Sequence, residues 1–139
     1  MRILLDTSAL AKRYKREDGC QHVDEWLARA DGVVLAAHGK LEIASAFLRD
    51  LHANALPPEQ YRAGMAAVTA DFAEFEVLPV TAEIEAFAIA AMQRTGLRAM
   101  DALHIGTAQA ARVDRFVTAD ARQAEAAQDA GLKTEKVPA

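Results

Sequence analysis

Four carboxylates in this chain stand where a fold can aim them: Asp6, Glu42, Asp101 and Asp120. Asp6 ends the apolar run Ile3-Leu4-Leu5, and Asp120 follows Phe116-Val117-Thr118-Ala119. Glu42 and Asp101 each fall in the first turn of an apolar helix pattern. Clustered carboxylates repel one another, so gathering them requires a cation or shared protons. All-oxygen ligands suit hard divalent ions such as Mg2+ or Mn2+, and one or two such ions activate water and clamp a phosphodiester. Taken singly, each acid also has a structural explanation. The helix dipole favours acids in a first turn, and Asp at a strand–helix junction is a common cap. The combination is what points to a cation site, because Asp6, Glu42 and Asp101 are all bracketed by core-forming residues.

Other chemistries find less footing. His22, His38, His52 and His104 are dispersed, without paired ligand spacing or a Cys–His cluster, so nothing in the sequence suits zinc. His104 lies three residues after Asp101 and shares its helix face. It is read as a hydrogen-bonded core histidine rather than a base, and the other three as surface residues. Ser8 lacks the Gly-x-Ser-x-Gly setting of a hydrolase nucleophile. No Gly-x-x-x-x-Gly-Lys run cradles a nucleotide phosphate. A receiver or phosphatase-type phosphotransfer site would want a lysine after the third or fourth strand, and none occurs before Lys133.

The elements that must position the acids alternate along the chain. Ile3-Leu4-Leu5 and Val33-Val34-Leu35 read as strands buried on both faces. Phe75 to Val80, ended by Pro79, gives a third, Phe116-Val117 a fourth, and Thr134 to Val137 an edge strand. Thr7 or Ser8 can cap a first helix ending near Asp18-Gly19. A second runs from Gln21 to Ala30. A third, from about Lys40 to Ala53, carries the stripe Leu41, Ala44, Phe47, Leu48 and Leu51. Pro58 opens a fourth, to Phe72, whose Tyr61, Met65, Val68 and Phe72 form one face. These two make an apolar hairpin standing off the sheet, a form suited to clamps or dimer surfaces. Thr81 caps a fifth helix stopped by Gly96. A sixth spans Ala99–Ala111, and a seventh is stopped by Gly131. Met65, Met92 and Met100 read as core filler. Alternating strands and helices predict an α/β fold with a mainly parallel sheet of four or five strands and about seven helices. In open parallel sheets ligands sit beyond the carboxyl ends of the strands, where Asp6 falls.

With 139 residues and no linker or repeat, one domain over 1–139 is expected, 52% hydrophobic and rich in alanine. Its radius of gyration would be about 14 Å, so distant acids can meet. A single cysteine, Cys20, excludes a disulfide framework. The absence of a long apolar run excludes a membrane-spanning helix, and the N-terminus lacks a signal-peptide layout, so a cytoplasmic setting is expected. Only 6% of residues are aromatic, which disfavours a base-stacking platform. The net charge of −4 does not advertise nucleic-acid binding. Neutralising four clustered carboxylates would, however, leave acids and bases equal at 16 each. The run Lys12, Arg13, Lys15 and Arg16 is either a solvated helix face or a phosphate-contacting patch.

Leu5-Asp6-Thr7-Ser8-Ala9-Leu10, then Glu42, then Arg98-Ala99-Met100-Asp101-Ala102-Leu103-His104-Ile105, then Phe116-Val117-Thr118-Ala119-Asp120 together resemble PIN-domain ribonucleases. More narrowly they resemble the VapC toxins of bacterial toxin–antitoxin pairs, over nearly the whole chain. The resemblance implies a three-layer α/β/α PIN-like fold. It implies that Asp6, Glu42, Asp101 and Asp120 are both catalytic residues and metal ligands, supported by hydrogen bonds from Thr7, Ser8 and Thr118. It implies cleavage of RNA dependent on Mg2+ or Mn2+, a cognate antitoxin protein and a homodimer. Lys12, Arg13 and Arg98 are the candidate RNA contacts, with Arg94 beside Arg98 at the approach to Asp101. Gly39-Lys40-Leu41 before Glu42 departs from the usual family wording, and no fifth acid follows Asp120 closely. The alternative is an interaction module that keeps the fold without significant catalysis.

Overall fold

Ile3, Leu4 and Leu5 leave at most 1% of their surface to water, and the strand they form, β1 (Arg2–Leu5), is the middle of five. The computed structural model describes all of residues 1–139. The other strands are β2 (Gly32–Ala36), β3 (Glu76–Leu78), β4 (Arg115–Thr118) and β5 (Thr134–Lys136). All pair in parallel, in the order β3-β2-β1-β4-β5. Leu4 sits between Val34 on one neighbour and Phe116 on the other. The chain therefore steps outward from β1 through β2 to β3 and returns to the far side of β1. The order reverses between β1 and β4, and a crevice beyond the carboxyl ends of those two strands is the natural ligand site of such a sheet.

Seven helices cover the faces: α1 (Thr7–Lys15), α2 (Cys20–Arg29), α3 (Gly39–His52), α4 (Pro58–Glu74), α5 (Ala82–Thr95), α6 (Ala99–Ala111) and α7 (Ala121–Asp129). Side chains alternate across a strand, so each strand feeds two cores. Ile3, Leu5, Leu35 and Val117 pack with Leu10, Val23, Ile43, Phe47 and Val68 from α1 to α4. Leu4, Val34 and Phe116 pack with Ala88, Ala91, Ile105 and Ala127 from α5 to α7. Burial on both sides is why the central strands read as unbroken apolar runs. The three-layer α/β fold with a parallel sheet and seven helices is as expected.

In the second core α5 and α6 meet backbone to backbone at Gly106. A Cβ there would lie 2.6 Å from the Ile84 carbonyl oxygen and 3.1 Å from the Ala88 nitrogen. Alanine would gain about 1 kcal/mol of helix propensity, but the overlap is with backbone that cannot swing aside. Gly106→Ala is expected to destabilise the protein by about 1–3 kcal/mol. Thermal unfolding would read this as a melting temperature lower by roughly 3 to 10 °C.

Several local expectations change. Helix α1 is capped by Asp6, not by Thr7 or Ser8, and it ends at Lys15 with Arg16 left-handed (φ 52°). Gly19 (φ 89°) instead opens α2, where a Cβ would strike the Pro138 carbonyl at 2.4 Å. On α3 Gly39, Ile43 and Phe47 face inward, whereas Leu41 is 73% exposed. Met100 is also half exposed rather than core filler. The α3–α4 hairpin does not stand off the sheet: Ile43, Phe47 and Val68 belong to the first core, and Tyr61, Met65 and Phe72 pack against it.

Candidate active site

Because the strands are parallel, β1 and β4 deliver their last residues to the same edge. Asp6, one residue past β1, is 4% exposed and caps α1. Its Oδ1 accepts from the Ser8 hydroxyl at 2.7 Å and from the Ala9 N–H at 3.1 Å. Its Oδ2 accepts from the Thr118 hydroxyl at 2.6 Å, at the end of β4. No cation touches this carboxylate. Burial raises its pKa, against the pull of nearby His104 and of those hydrogen bonds. Thr118 Oγ1 also accepts from the Asp120 N–H at 3.1 Å, and Ser8 Oγ accepts from Ala119 N–H at 2.9 Å. Asp120 is exposed and caps α7, its Oδ1 accepting from the N–H groups of Arg122 (2.8 Å) and Gln123 (3.1 Å).

Glu42 sits in the first turn of α3, and its Oε1 accepts from the Thr7 hydroxyl at 2.6 Å. The same oxygen lies 2.7 Å from His104 Nε2 and 3.3 Å from His38 Nε2. Burial would raise the Glu42 pKa, but the hydrogen bonds from His104 and Thr7 and the two rings hold it below the ordinary value. His38 Nε2 donates to the Met100 carbonyl at 2.8 Å, tying the start of α3 to α6. Burial, and then the neighbouring His104, lower the His38 pKa, so its ring is neutral at pH 7. Asp101 is half-buried in the first turn of α6. Its main-chain oxygen accepts from Gln123 Nε2 at 2.8 Å, while its carboxylate has no hydrogen-bond or ion-pair partner within the chain.

Hydrogen bonds thus connect Asp6 with Thr118 and Asp120, and Asp120 through Gln123 with the backbone of Asp101. A second set joins Thr7, Glu42 and His104. The tight cluster differs from the one expected. Ligand atoms of His, Cys, Asp and Glu side chains come within 4.8 Å of one another in one group of three, His38, Glu42 and His104; Asp6, Asp101 and Asp120 stand outside it. The expectation that the histidines are dispersed is corrected: His38 and His104 stack at 4.3 Å between ring centroids, and only His22 and His52 are exposed. His104 is a hydrogen-bonded core histidine, as read, at 3% exposure. Sequence reasoning also missed Gln123, which is buried and bridges two helices.

The candidate RNA contacts separate. Lys12 is buried, donates to the Asp18 carbonyl at 2.6 Å and lies 3.6 Å from Glu17, so it closes the α1–α2 connection. Arg13 holds Asp71 with two hydrogen bonds, of 2.8 and 3.2 Å, and Tyr14 donates to the same carboxylate at 2.7 Å. Both cations are consumed inside the fold. Arg94 pairs with Asp129 at 2.8 Å. Arg98, at the cap of α6, is exposed and has no acidic partner. The residues fit a divalent cation in one respect that can be tested: Asp6 is a buried carboxylate with no ion-pair partner, and the half-buried Asp101 carboxylate also has none.

The fold is shared with solved toxin–antitoxin structures. A toxin–antitoxin complex from Klebsiella pneumoniae is 18% identical, with 85% of this chain and 86% of that chain covered and a TM-score of 0.63. VapBC2 from Rickettsia felis, bound to a DNA fragment from its promoter, is 14% identical over 98% of both chains, with a TM-score of 0.69. VapC20 of Mycobacterium tuberculosis, a Sarcin-Ricin-loop-cleaving toxin, is 20% identical over 89% of this chain and 94% of that one, with a TM-score of 0.70. No curated protein matches the sequence. The PIN domain model matches residues 3–129, from within β1 to the last residue of α7. That span takes in both strand ends and all four acids, and the chain belongs to the PIN domain family.

Proposed function

We propose that this protein is a metal-dependent endoribonuclease and the toxin of a toxin–antitoxin pair. The observation that supports the reading is a buried Asp6 without an ion-pair partner at the strand-order reversal, hydrogen-bonded to the end of β4, with the adjoining Thr7 bonded to Glu42 at the start of α3. PIN domains are generally nucleases, and the likeness to toxin–antitoxin structures supports an antitoxin partner. Asp6, Glu42, Asp101 and Asp120 would hold the ion, Mg2+ or Mn2+. When bound, it supplies positive charge for the phosphoryl oxygens and favours ionisation of the attacking water. The chain's own residues do the rest. Ser8 and Thr118 fix Asp6, and Thr7 fixes Glu42. The unpartnered Asp101 carboxylate is free to take a proton from water. Arg98 offers the guanidinium that a phosphate needs. Hydrolysis leaves a 3′-hydroxyl and a 5′-phosphate. A second copy of the chain is the expected partner in a homodimer.

The direct test is incubation of purified protein with a structured RNA in Mn2+ or Mg2+. Cleavage that stops on chelation supports the reading; intact RNA with either ion rejects it. A further expectation concerns binding alone. In the Asp101→Asn background, which should not cut, Arg98→Ala lowers RNA affinity several-fold at low salt. It also reduces the slope of log affinity against log salt by about one. Fluorescence anisotropy across a salt series would read both.

The engagement of Glu42 Oε1 by three neighbours favours one other reading, a PIN-fold module without catalysis. Calorimetric titration separates them, since an inert module binds no Mn2+ at millimolar concentration.

A further inference from the structure

We propose that His38, Glu42 and His104 form a centre for a borderline transition-metal ion of the Zn2+ or Co2+ class. Its donors differ from the all-oxygen set that suits Mg2+. The geometry comes from two helices. His38 and Glu42 are four residues apart at the start of α3, so they share one face. His104 reaches the same point from the second turn of α6, and the ligand atoms of the three lie within 4.8 Å of one another. The two imidazole Nε2 atoms stand 3.3 and 2.7 Å from one carboxylate oxygen. Thr7 Oγ1 adds a fourth polar atom 3.2 Å from His104 Nε2.

A second observation is independent of that spacing. Nδ1 of His38 and Nδ1 of His104 are both buried and have no hydrogen-bond partner. Each ring's own hydrogen bonds run through Nε2, to the Met100 carbonyl and to Glu42, so an ion held at Nε2 replaces those bonds and leaves each ring's proton on the unpartnered Nδ1. Two imidazoles and one carboxylate with a fourth position open is a donor set that zinc uses in catalytic sites. Nitrogen ligands favour the later first-row ions, and Mg2+ does not compete for them. The centre shares Glu42 with the proposed nuclease site, but it follows from the histidines and stands without the nuclease reading.

Zinc X-ray absorption on the full chain loaded with one equivalent of Zn2+ tests this without RNA. The expected spectrum has two imidazoles at a Zn–N distance of about 2.0–2.1 Å. His38→Gln is the deciding variant, because His38 lies at the edge of the site whereas His104 is core. It should show one imidazole and bind Zn2+ at least about tenfold more weakly. A His22→Gln/His52→Gln double variant, altered only at exposed positions, should keep the wild-type spectrum, as should Asp101→Asn. An oxygen-only shell, or two imidazoles persisting in His38→Gln, overturns the proposal. Cleavage assays are read separately. A protein that cuts no RNA yet shows both imidazoles keeps this centre and loses the nuclease reading. One that cuts RNA with an oxygen-only shell does the reverse.

Discussion

Replacing Asp101 with asparagine is expected to reduce RNA cleavage more than about 100-fold. The scale follows from metal sites in general: losing a group that only orients a ligand costs about 10–100-fold, so losing a ligand costs more. The fold should survive. The Asp101 carboxylate has no partner in the chain, and the contact that fixes this turn, Gln123 Nε2 to the Asp101 carbonyl at 2.8 Å, uses the backbone. What is lost is the attraction of a negative charge to the start of α6, about 0.3–1 kcal/mol. A melting temperature lower by no more than about 3 °C together with lost cleavage is the expected pair of results. Undiminished turnover by the variant would remove Asp101 from the mechanism.

Asp6→Asn should abolish cleavage as well, but with the opposite effect on the metal-free protein: greater stability. Burial raises the Asp6 pKa. A carboxyl group whose pKa is higher folded than unfolded contributes stability that is complete below the unfolded value, ordinarily 3.8, and is lost as pH rises through the folded one. Ionisation of Asp6 therefore works increasingly against folding as pH rises. Asparagine keeps the acceptor for Ser8 and for the Ala9 N–H, and the Thr118 hydroxyl can turn to accept from the new amide. The metal-free variant should melt about 3 °C or more above the parent at pH 7. The gap should close toward pH 3. A bound ion changes the ranking, because a ligand at 100 times its dissociation constant stabilises by about 2.7 kcal/mol, and Asp6→Asn should lose most of that gain. Differential scanning calorimetry with and without Mn2+ at two pH values gives all four numbers. A variant less stable than the parent at pH 7 without metal would show that the buried charge is otherwise compensated.

Much of the fold was legible because this sheet is simple. Strands buried on both faces leave unbroken runs such as Ile3-Leu4-Leu5, and Thr81 and Gly96 bound α5 in plain sight. The first helix was less readable, since Asp6, Thr7 and Ser8 are all good caps and only coordinates show that Asp6 takes the role. Leu41 fits an apolar stripe by spacing yet faces water, because Ile43 and Phe47 already fill the inward side of α3. The four acids were singled out from their strand-end and first-turn settings. The fate of the cations was not legible, because Arg13 meets Asp71 across 58 residues and no local pattern encodes that pairing. The histidine pair was hidden in the same way. His38 and Glu42 have helical spacing that could have been noticed, but His104 joins them from 62 residues beyond Glu42.

The two rims of the sheet carry a consequence for self-association. Both β3 and β5 are three residues long, and each is followed within two residues by a proline, Pro79 and Pro138, that has no N–H to give. Short, proline-ended borders offer another strand almost no ladder to extend. A twin of this molecule would have to approach through its helical flanks, and sheet-to-sheet polymerisation is closed to it.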